Sequence, residues 1–403
     1  MDELPEMRAP AAPYPYLRVG HLAAEPLPHG VGTAVDLDGL TPQDLERELR
    51  QGLDLVVLGA GAEQADGGPR LSADVLELLM VCEAEGIPTV LRIDAEPDLQ
   101  GRLAAVVSHA VTTRPELHEL MRRRLGIERA LLLKPVIDPR QTLLEALDDP
   151  SGLATERIVE RRELIASRSP EAQASRLLTF LGLPTVEEPL VTPLIVSRRA
   201  EHLRHAEANL ARQRHRRLDP LLVIDPLFED QAREETADWE TPVRIITAGP
   251  RSTLADRLNI GIDQAAGRYV TVIEETATYG PWHITDLLQA AQHSGADLVG
   301  RASWFVKTDD GTVRVKSPKL QRTFGEAPAL GTMMLATETA RRLGFPRRAA
   351  SIGPAFAQRV ISTGGRIFSI HAHDMLMMRR GQSLGDLSQE DVLSSWLPNS
   401  SQP

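Results

Sequence analysis

The stretch from Arg251 to His283, RSTLADRLNIGIDQAAGRYVTVIEETATYGPWH, constrains the fold more than any other part of the chain. Leu254, Leu258, Ile262 and Ala265 recur at the spacing of one helix face, and Ser252 or Thr253 can cap the first turn. Gly267 is then expected to end the helix, because glycine enters the left-handed conformation at least cost. Tyr269–Ile273, YVTVI, is short, β-branched and almost wholly apolar, the composition of a strand covered on both faces. Glu274 and Glu275 follow at its end. In open α/β sheets the carboxyl ends of strands border the ligand crevice, so acids placed there are candidates for function.

Strand and helix patterns alternate on both sides of this stretch. Residues 1–29 are rich in proline and lack periodicity, and read as a flexible leader. Residues 30–150 give strands at LDLVVL (Leu53 to Leu58), PTVLRI (Pro88 to Ile93), Ala104 to Ser108 and Ala130 to Lys134, with helices between, which predicts a small doubly wound α/β accessory domain. Residues 151–188 read as a helical linker whose arginines, Arg161, Arg162, Arg168 and Arg176, form a solvated or acid-paired face. A second α/β domain spans 189–380, and 381–403 is a polar tail. Within the second domain, Leu227 to Glu240 reads as an acidic loop, and the segments around Asp309-Asp310-Gly311 read as a hairpin.

The sequence elements Leu258-Asn259-Ile260-Gly261, Ala266-Gly267-Arg268-Tyr269 and Glu274-Glu275-Thr276 resemble, in that order, the nucleotide-sugar half of family-2 glycosyltransferases, which have the GT-A fold. The likeness covers roughly 193–380 and extends to Tyr279-Gly280-Pro281. It implies a GT-A-like domain that transfers a sugar from a nucleotide-diphosphate donor to an acceptor. It assigns Ser197, Arg198, Asp225, Asn259 and Glu274 to the nucleotide sugar, and a divalent metal, Mg or Mn, to Glu274 and Glu275. GIPTV, VVSHAVTTRPELHELMRRRLG and LLLKPVIDP in the first domain look similar to one Rossmann-like half of a GT-B glycosyltransferase.

The chemistry departs from that pattern. The acidic triplet reads Glu-Glu-Thr, with a longer carboxylate stem and no charge at Thr276. Gly353 stands where the resemblance puts an aspartate base. His371, His373 and Asp374, just beyond a strand end, are the alternative acid–base set. An extended segment would send the two histidines to one face and Asp374 to the other, so a bend is needed for them to converge. Asp225 has two readings: a carboxylate that accepts from ribose hydroxyls or a base N–H, or a strand-end residue opening the turn at Pro226. Two functions follow. One is an active transferase. The other is a catalytically degenerate homologue that serves as a binding subunit or a partner of another glycosyltransferase.

Composition excludes several alternatives. Aromatic residues make up 4% of the 403 residues and the formal net charge is −11, which argues against stacking on single-stranded nucleic acid and against anionic surfaces. Cys82 is the only cysteine, so an intrachain disulfide framework and a cysteine-based zinc site are both excluded. It falls in an apolar helical run, where a buried thiol is expected. No apolar run is long enough to span a membrane and no secretory signal is evident, so a soluble, cytoplasmic protein is expected.

Overall fold

The computed structural model describes residues 16–24, 31–40, 42–63, 73–144, 155–185, 187–197, 202–308 and 311–377. Arg198, Asp309-Asp310, most of the leader and the polar tail lie outside the described residues. The chain forms two compact units, one built on 9–138 with 163–187, the other on 139–162 with 188–403. The segment expected to be a linker is thus divided after Arg162.

The N-terminal unit contains strands β1 (Arg18–Leu22), β2 (Thr33–Asp36), β3 (Leu55–Leu58), β4 (Thr89–Arg92), β5 (His109–Thr112) and β6 (Ala130–Leu132). Its helices are α1 (Pro42–Arg50), α2 (Ala73–Glu85), α3 (Leu103–Val106) and α4 (Pro115–Leu125). Next along the chain come α5 (Pro139–Leu144), α6 (Thr155–Arg168) and α7 (Pro170–Phe180). All six strands are parallel, in the order β2-β1-β3-β4-β5-β6. Alternation along β3 sorts Val56 and Leu58 into a core with Leu78 and Cys82 of α2 and Met121 of α4, while Leu55 and Val57 pack with Leu177 and Leu178 of α7. Helices therefore cover both faces, the doubly wound arrangement the alternation predicts. Cys82 is fully buried, and burial pushes its thiol up to about 11. One predicted strand is overturned. Most of the run Ala104 to Ser108 lies in α3, and the strand starts later, at His109. A short apolar run fits either element by periodicity, and its alanines favour helix.

The C-terminal unit adds strands β7 (Val191–Val196), β8 (Leu221–Ile224), β9 (Arg244–Thr247), β10 (Tyr269–Ile273), β11 (Ala277–Tyr279) and β12 (Leu298–Gly300). It continues with β13 (Trp304–Lys307), β14 (Val313–Lys316), β15 (Thr323–Phe324), β16 (Met334–Ala336), β17 (Ile367–Ser369) and β18 (Met375–Met377). Its further helices are α8 (Leu203–Ala211), α9 (Glu229–Thr236), α10 (Leu254–Gln264), α11 (His283–His293), α12 (Thr337–Leu343) and α13 (Ile352–Ser362). Eight strands form the main sheet in the order β15-β17-β12-β16-β10-β7-β8-β9. β7 to β10 run parallel, β16 lies antiparallel between β10 and β12, and β17 is parallel to β12. A smaller sheet, β11-β18-β13-β14, carries the expected hairpin as β13 and β14. Leu194, Val270 and Val272 pack on α10 and α13 through Leu258, Ile262, Phe356 and Val360. Ile195 and Ile273 face the opposite way, into a core with Leu203, Ala206 and Leu210 of α8.

Two local expectations are revised here, and the Thr253 cap is met. Leu227 to Glu240 is not a loop: it contains α9, where Glu229 and Asp230 sit in the first turn and Glu229 pairs with Arg233 at 2.6 Å, one turn on. Acids at a helix N-terminus and an i,i+4 pair stabilise a helix whose apolar face is too narrow to read from the sequence. α10 begins only after Thr253, whose hydroxyl accepts from the Asp256 N–H while the Asp256 carboxylate accepts from the Thr253 N–H, a reciprocal cap. Gly267 does not adopt a left-handed conformation. A β-carbon there would lie 2.7 Å from the Thr192 nitrogen and 2.8 Å from the Leu190 oxygen, so the glycine is needed for close approach to the start of β7.

Candidate functional site

Parallel pairing of β8, β7 and β10 brings their carboxyl ends to one edge of the main sheet. β16 is antiparallel to both β10 and β12, so the carboxyl ends of β12 and β17 reach that same edge. Ser197 follows β7, Asp225 follows β8, Glu274 and Glu275 follow β10, Arg301 follows β12, and His371 lies just past β17.

Asp225 does two things. Its Oδ1 accepts from the Leu227 N–H at 3.1 Å, opening the turn at Pro226, and its Oδ2 meets Nη2 of the buried Arg257 at 3.1 Å. Nε and Nη1 of Arg257 have no hydrogen-bond partner. Both sequence readings of Asp225 are compatible with this placement, since the carboxylate remains partly exposed at the edge. Ser197 is buried, and its N–H donates to the Val223 carbonyl at 3.2 Å. Asn259 sits elsewhere: its amide donates to the Phe345 carbonyl at 3.0 Å and accepts from the Phe345 N–H at 2.6 Å, which commits both ends to the backbone.

The two glutamates after β10 have different surroundings. Glu274 is folded back against Gly331, and burial pushes its carboxyl up against the opposing effect of a hydrogen bond from the Gly331 N–H. A β-carbon on Gly331 would stand 2.7 Å from Glu274 Cγ and 2.7 Å from the Tyr279 hydroxyl. Tyr279 ties the loop by accepting from the Glu274 N–H at 3.0 Å and donating to the Gly331 carbonyl at 2.7 Å. Glu275 instead lies 3.2 Å from Nδ1 of His202, just before α8. Glu274 and Glu275 are the donors that the family resemblance offers a metal. Among the described residues no three His, Cys, Asp or Glu side chains form a group that could hold an ion. The two glutamates alone do not fit a metal cage, and no step is derived through one.

On the other side of β16, His371, His373 and Asp374 come together. The bend their convergence requires is present: Asp374 has φ 64, in the left-handed region. All three are buried, together with His283 and Asp286 of α11, Arg301, and Arg162 of α6. Arg162 grips both oxygens of Asp286, from Nε and Nη2, at 2.9 Å each and lies over the Trp282 ring at 4.1 Å. Burial opposes ionisation of Asp286, but Arg162 and His371 outweigh it and hold the carboxyl below its usual range. Burial and the charge of Asp286 push Asp374 up to about 7. His371 is held down to about 3 and His373 to about 4, chiefly by burial. Among the residues not anticipated from sequence, Arg301 follows a strand at the same edge as the glutamates. Extending the strand-end rule from acids to bases would have found it. His283 and Asp286 interrupt the apolar face formed by Ile284 and Leu287, which is the signal they left in the sequence. Gly353, where a base was sought, is buried in the first turn of α13.

No helix among the described residues is long and apolar enough to cross a membrane. No family model and no curated protein matches the chain. Among solved structures it is similar to a mannosyltransferase, PcManGT from Pyrobaculum calidifontis, in complex with GDP-Man and Mn2+, at 14% identity and TM-score 0.41, over 61% of this chain and 70% of that one. It is also similar to residues 1–349 of S. aureus TarS in complex with UDP-GlcNAc, at 13% identity and TM-score 0.38, over 51% of this chain and 64% of that one. A third likeness is to GalNAc-T7 with UDP, GalNAc and Mn2+, at 12% identity and TM-score 0.41, over 51% of this chain and 47% of that one. These overlaps are partial, and the fold assignment rests on the strand order of the chain itself. The fold class is α/β: a mixed eight-stranded sheet preceded along the chain by a smaller, doubly wound parallel sheet.

Proposed function

We propose that the C-terminal unit binds a nucleotide-diphosphate sugar along the edge formed by β7, β8 and β10, as a glycosyltransferase-like protein acting on a separate acceptor. One observation carries the reading: Asp225 and Glu274 end two parallel strands that flank β7 on the same edge. A carboxylate at the end of β8 accepts hydrogen bonds from a ribose or a base N–H, and Arg198 belongs to the same proposal although it lies outside the described residues. Glu274 is then the residue nearest the transferred group. The half-buried Glu274, whose carboxyl is pushed up by burial, is a poor match for a hard cation, which prefers ionised oxygen ligands.

A second reading has its own support. The groups that would remove a proton from an acceptor are either missing, at Gly353, or buried, at His371, His373 and Asp374. On that reading the chain retains binding and acts as a non-catalytic subunit, for instance beside another glycosyltransferase. Calorimetric titration of the full chain with UDP- and GDP-type nucleotides, with and without Mn2+, tests the shared premise. Absence of binding to every nucleotide overturns both readings. A transfer and donor-hydrolysis assay separates them: turnover abolished by Glu274→Gln selects catalysis, and binding without turnover selects the subunit.

A further inference from the structure

Among the described residues, seven of the fifteen buried side-chain atoms that lack a hydrogen-bond partner fall in one cluster: Trp282 Nε1, His283 Nε2, Arg301 Nη2, His371 Nδ1, His373 Nδ1 and both oxygens of Asp374, which the Trp282 backbone N–H approaches. Native interiors leave few such atoms, because each one forfeits hydrogen bonds that it makes in water. So many in one place point to a bound partner.

The bonds that are made identify what the partner must offer. Arg301 Nη1 lies 2.8 Å from His283 Nδ1, and a guanidinium can only donate. His283 Nδ1 is therefore an acceptor, and its ring proton sits on Nε2. His371 Nε2 lies 3.2 Å from the Asp286 carboxylate, which accepts, so the free Nδ1 of His371 carries a lone pair. The unpartnered set thus contains donors, on Trp282, His283 and Arg301, and acceptors, on His371 and Asp374. An anion would satisfy only the donors and a cation only the acceptors. Water both donates and accepts, and it is the usual partner of buried polar groups that the protein leaves unmatched.

We propose that this cluster is a binding site for ordered internal water, which bridges Asp374 to Arg301 and His283 and holds the His371–Asp374 bend in place. The bend already has two backbone ties. Arg301 Nε donates to the His373 carbonyl at 3.0 Å, and the Gly280 N–H donates to the Asp374 carbonyl at 3.0 Å. Bridging water adds the tie to the Asp374 side chain. It thereby supports the pairing of β18 with β11, the strand that follows Glu274 and Glu275.

A crystal structure of the full chain that shows ordered water tests this directly. The expected result is water within hydrogen-bond distance of the Asp374 carboxylate and of Arg301 Nη2 or His283 Nε2. A direct Asp374–Arg301 pair with no water, or an ion in that density, overturns the proposal. In solution, oxygen-17 relaxation dispersion reads long-lived internal water. Asp374→Leu should lose part of that signal relative to wild type. Should Asp374→Leu fail to fold, Trp282→Phe removes one donor while keeping a ring, and should show a smaller loss. An unchanged signal in the variant that folds also overturns it.

Discussion

Asp225 carries more structural duty than a ligand contact alone would require, which shapes how it should be mutated. Asp225→Ala would remove a cap and leave Arg257 buried without its carboxylate, so lost binding would be confounded with lost stability. Asp225→Asn keeps a capping oxygen, since asparagine caps about as well as aspartate. On the nucleotide-binding reading, Asp225→Asn should weaken nucleotide affinity by about 1–3 kcal/mol, as expected for a hydrogen-bonded charge, with the melting temperature falling less than in Asp225→Ala. Calorimetry on both variants decides it, and equal affinity in wild type and Asp225→Asn would remove this residue from the site. Gly331→Ala is a second single-atom test. The added methyl would meet Glu274 Cγ and the Tyr279 hydroxyl at 2.7 Å, and overpacking of this kind costs about 1–3 kcal/mol. Urea denaturation should show that loss. A neutral result would mean that the Glu274 loop moves freely away from Gly331.

At the scale of elements, what could be read in advance follows from how much of the signal is local. The strand YVTVI and the helix before it were legible because apolar periodicity and a cap occur within a few residues. Thr253→Ala should accordingly cost about 1 kcal/mol through loss of the cap, measured by thermal or urea unfolding, and a wild-type midpoint would show that the cap is not formed in solution. α9 was not legible, because its stability comes from charge placement and from burying Ala232 against neighbours distant in sequence. Gly267 was recognised as a special position for the wrong reason: the requirement comes from β7, about 75 residues earlier, and no local pattern encodes it. The candidate site divides in the same way. Acids at strand ends can be found from sequence, whereas the pairing of Arg162 with Asp286 joins residues 124 apart and appears only in the folded chain.

For the whole molecule, the buried cluster predicts a particular pH profile of stability. His371 and His373 titrate near 3 and 4 in the folded chain, against 6.5 ordinarily. The unfolded chain therefore takes up their protons first, and their contribution is present above about pH 6.5 and lost as pH falls. Asp286, held below its ordinary value, acts in the same direction at lower pH. Asp374 acts oppositely: with its folded value near 7 against 3.8, its contribution is full in acid and drains away as pH rises towards 7. In the acid range the lowered histidines, buried His283 among them, outweigh the single raised carboxyl, so stability rises with pH. Urea unfolding across pH 4.5 to 8 should show stability rising from acid and levelling off near neutral pH. A flat profile between pH 5 and 6.5 would contradict the burial of these groups.

The reversed strand β16 in the middle of the main sheet has a consequence for the order of events at the ribosome. Among the described residues β12 pairs only with β16 and β17, and β10 reaches the second half of the sheet only through β16. Until Met334–Ala336 has emerged, β10 presents a bare hydrogen-bonding edge while β12 waits without a neighbour in the main sheet. Such edges recruit strands from other chains, and pairings distant in sequence form late. A chain cut after Gly325 should therefore collect in the insoluble fraction on expression, while one extended through Met377 should not. Fractionation of the two truncations side by side would show whether β16 is the piece that closes the sheet.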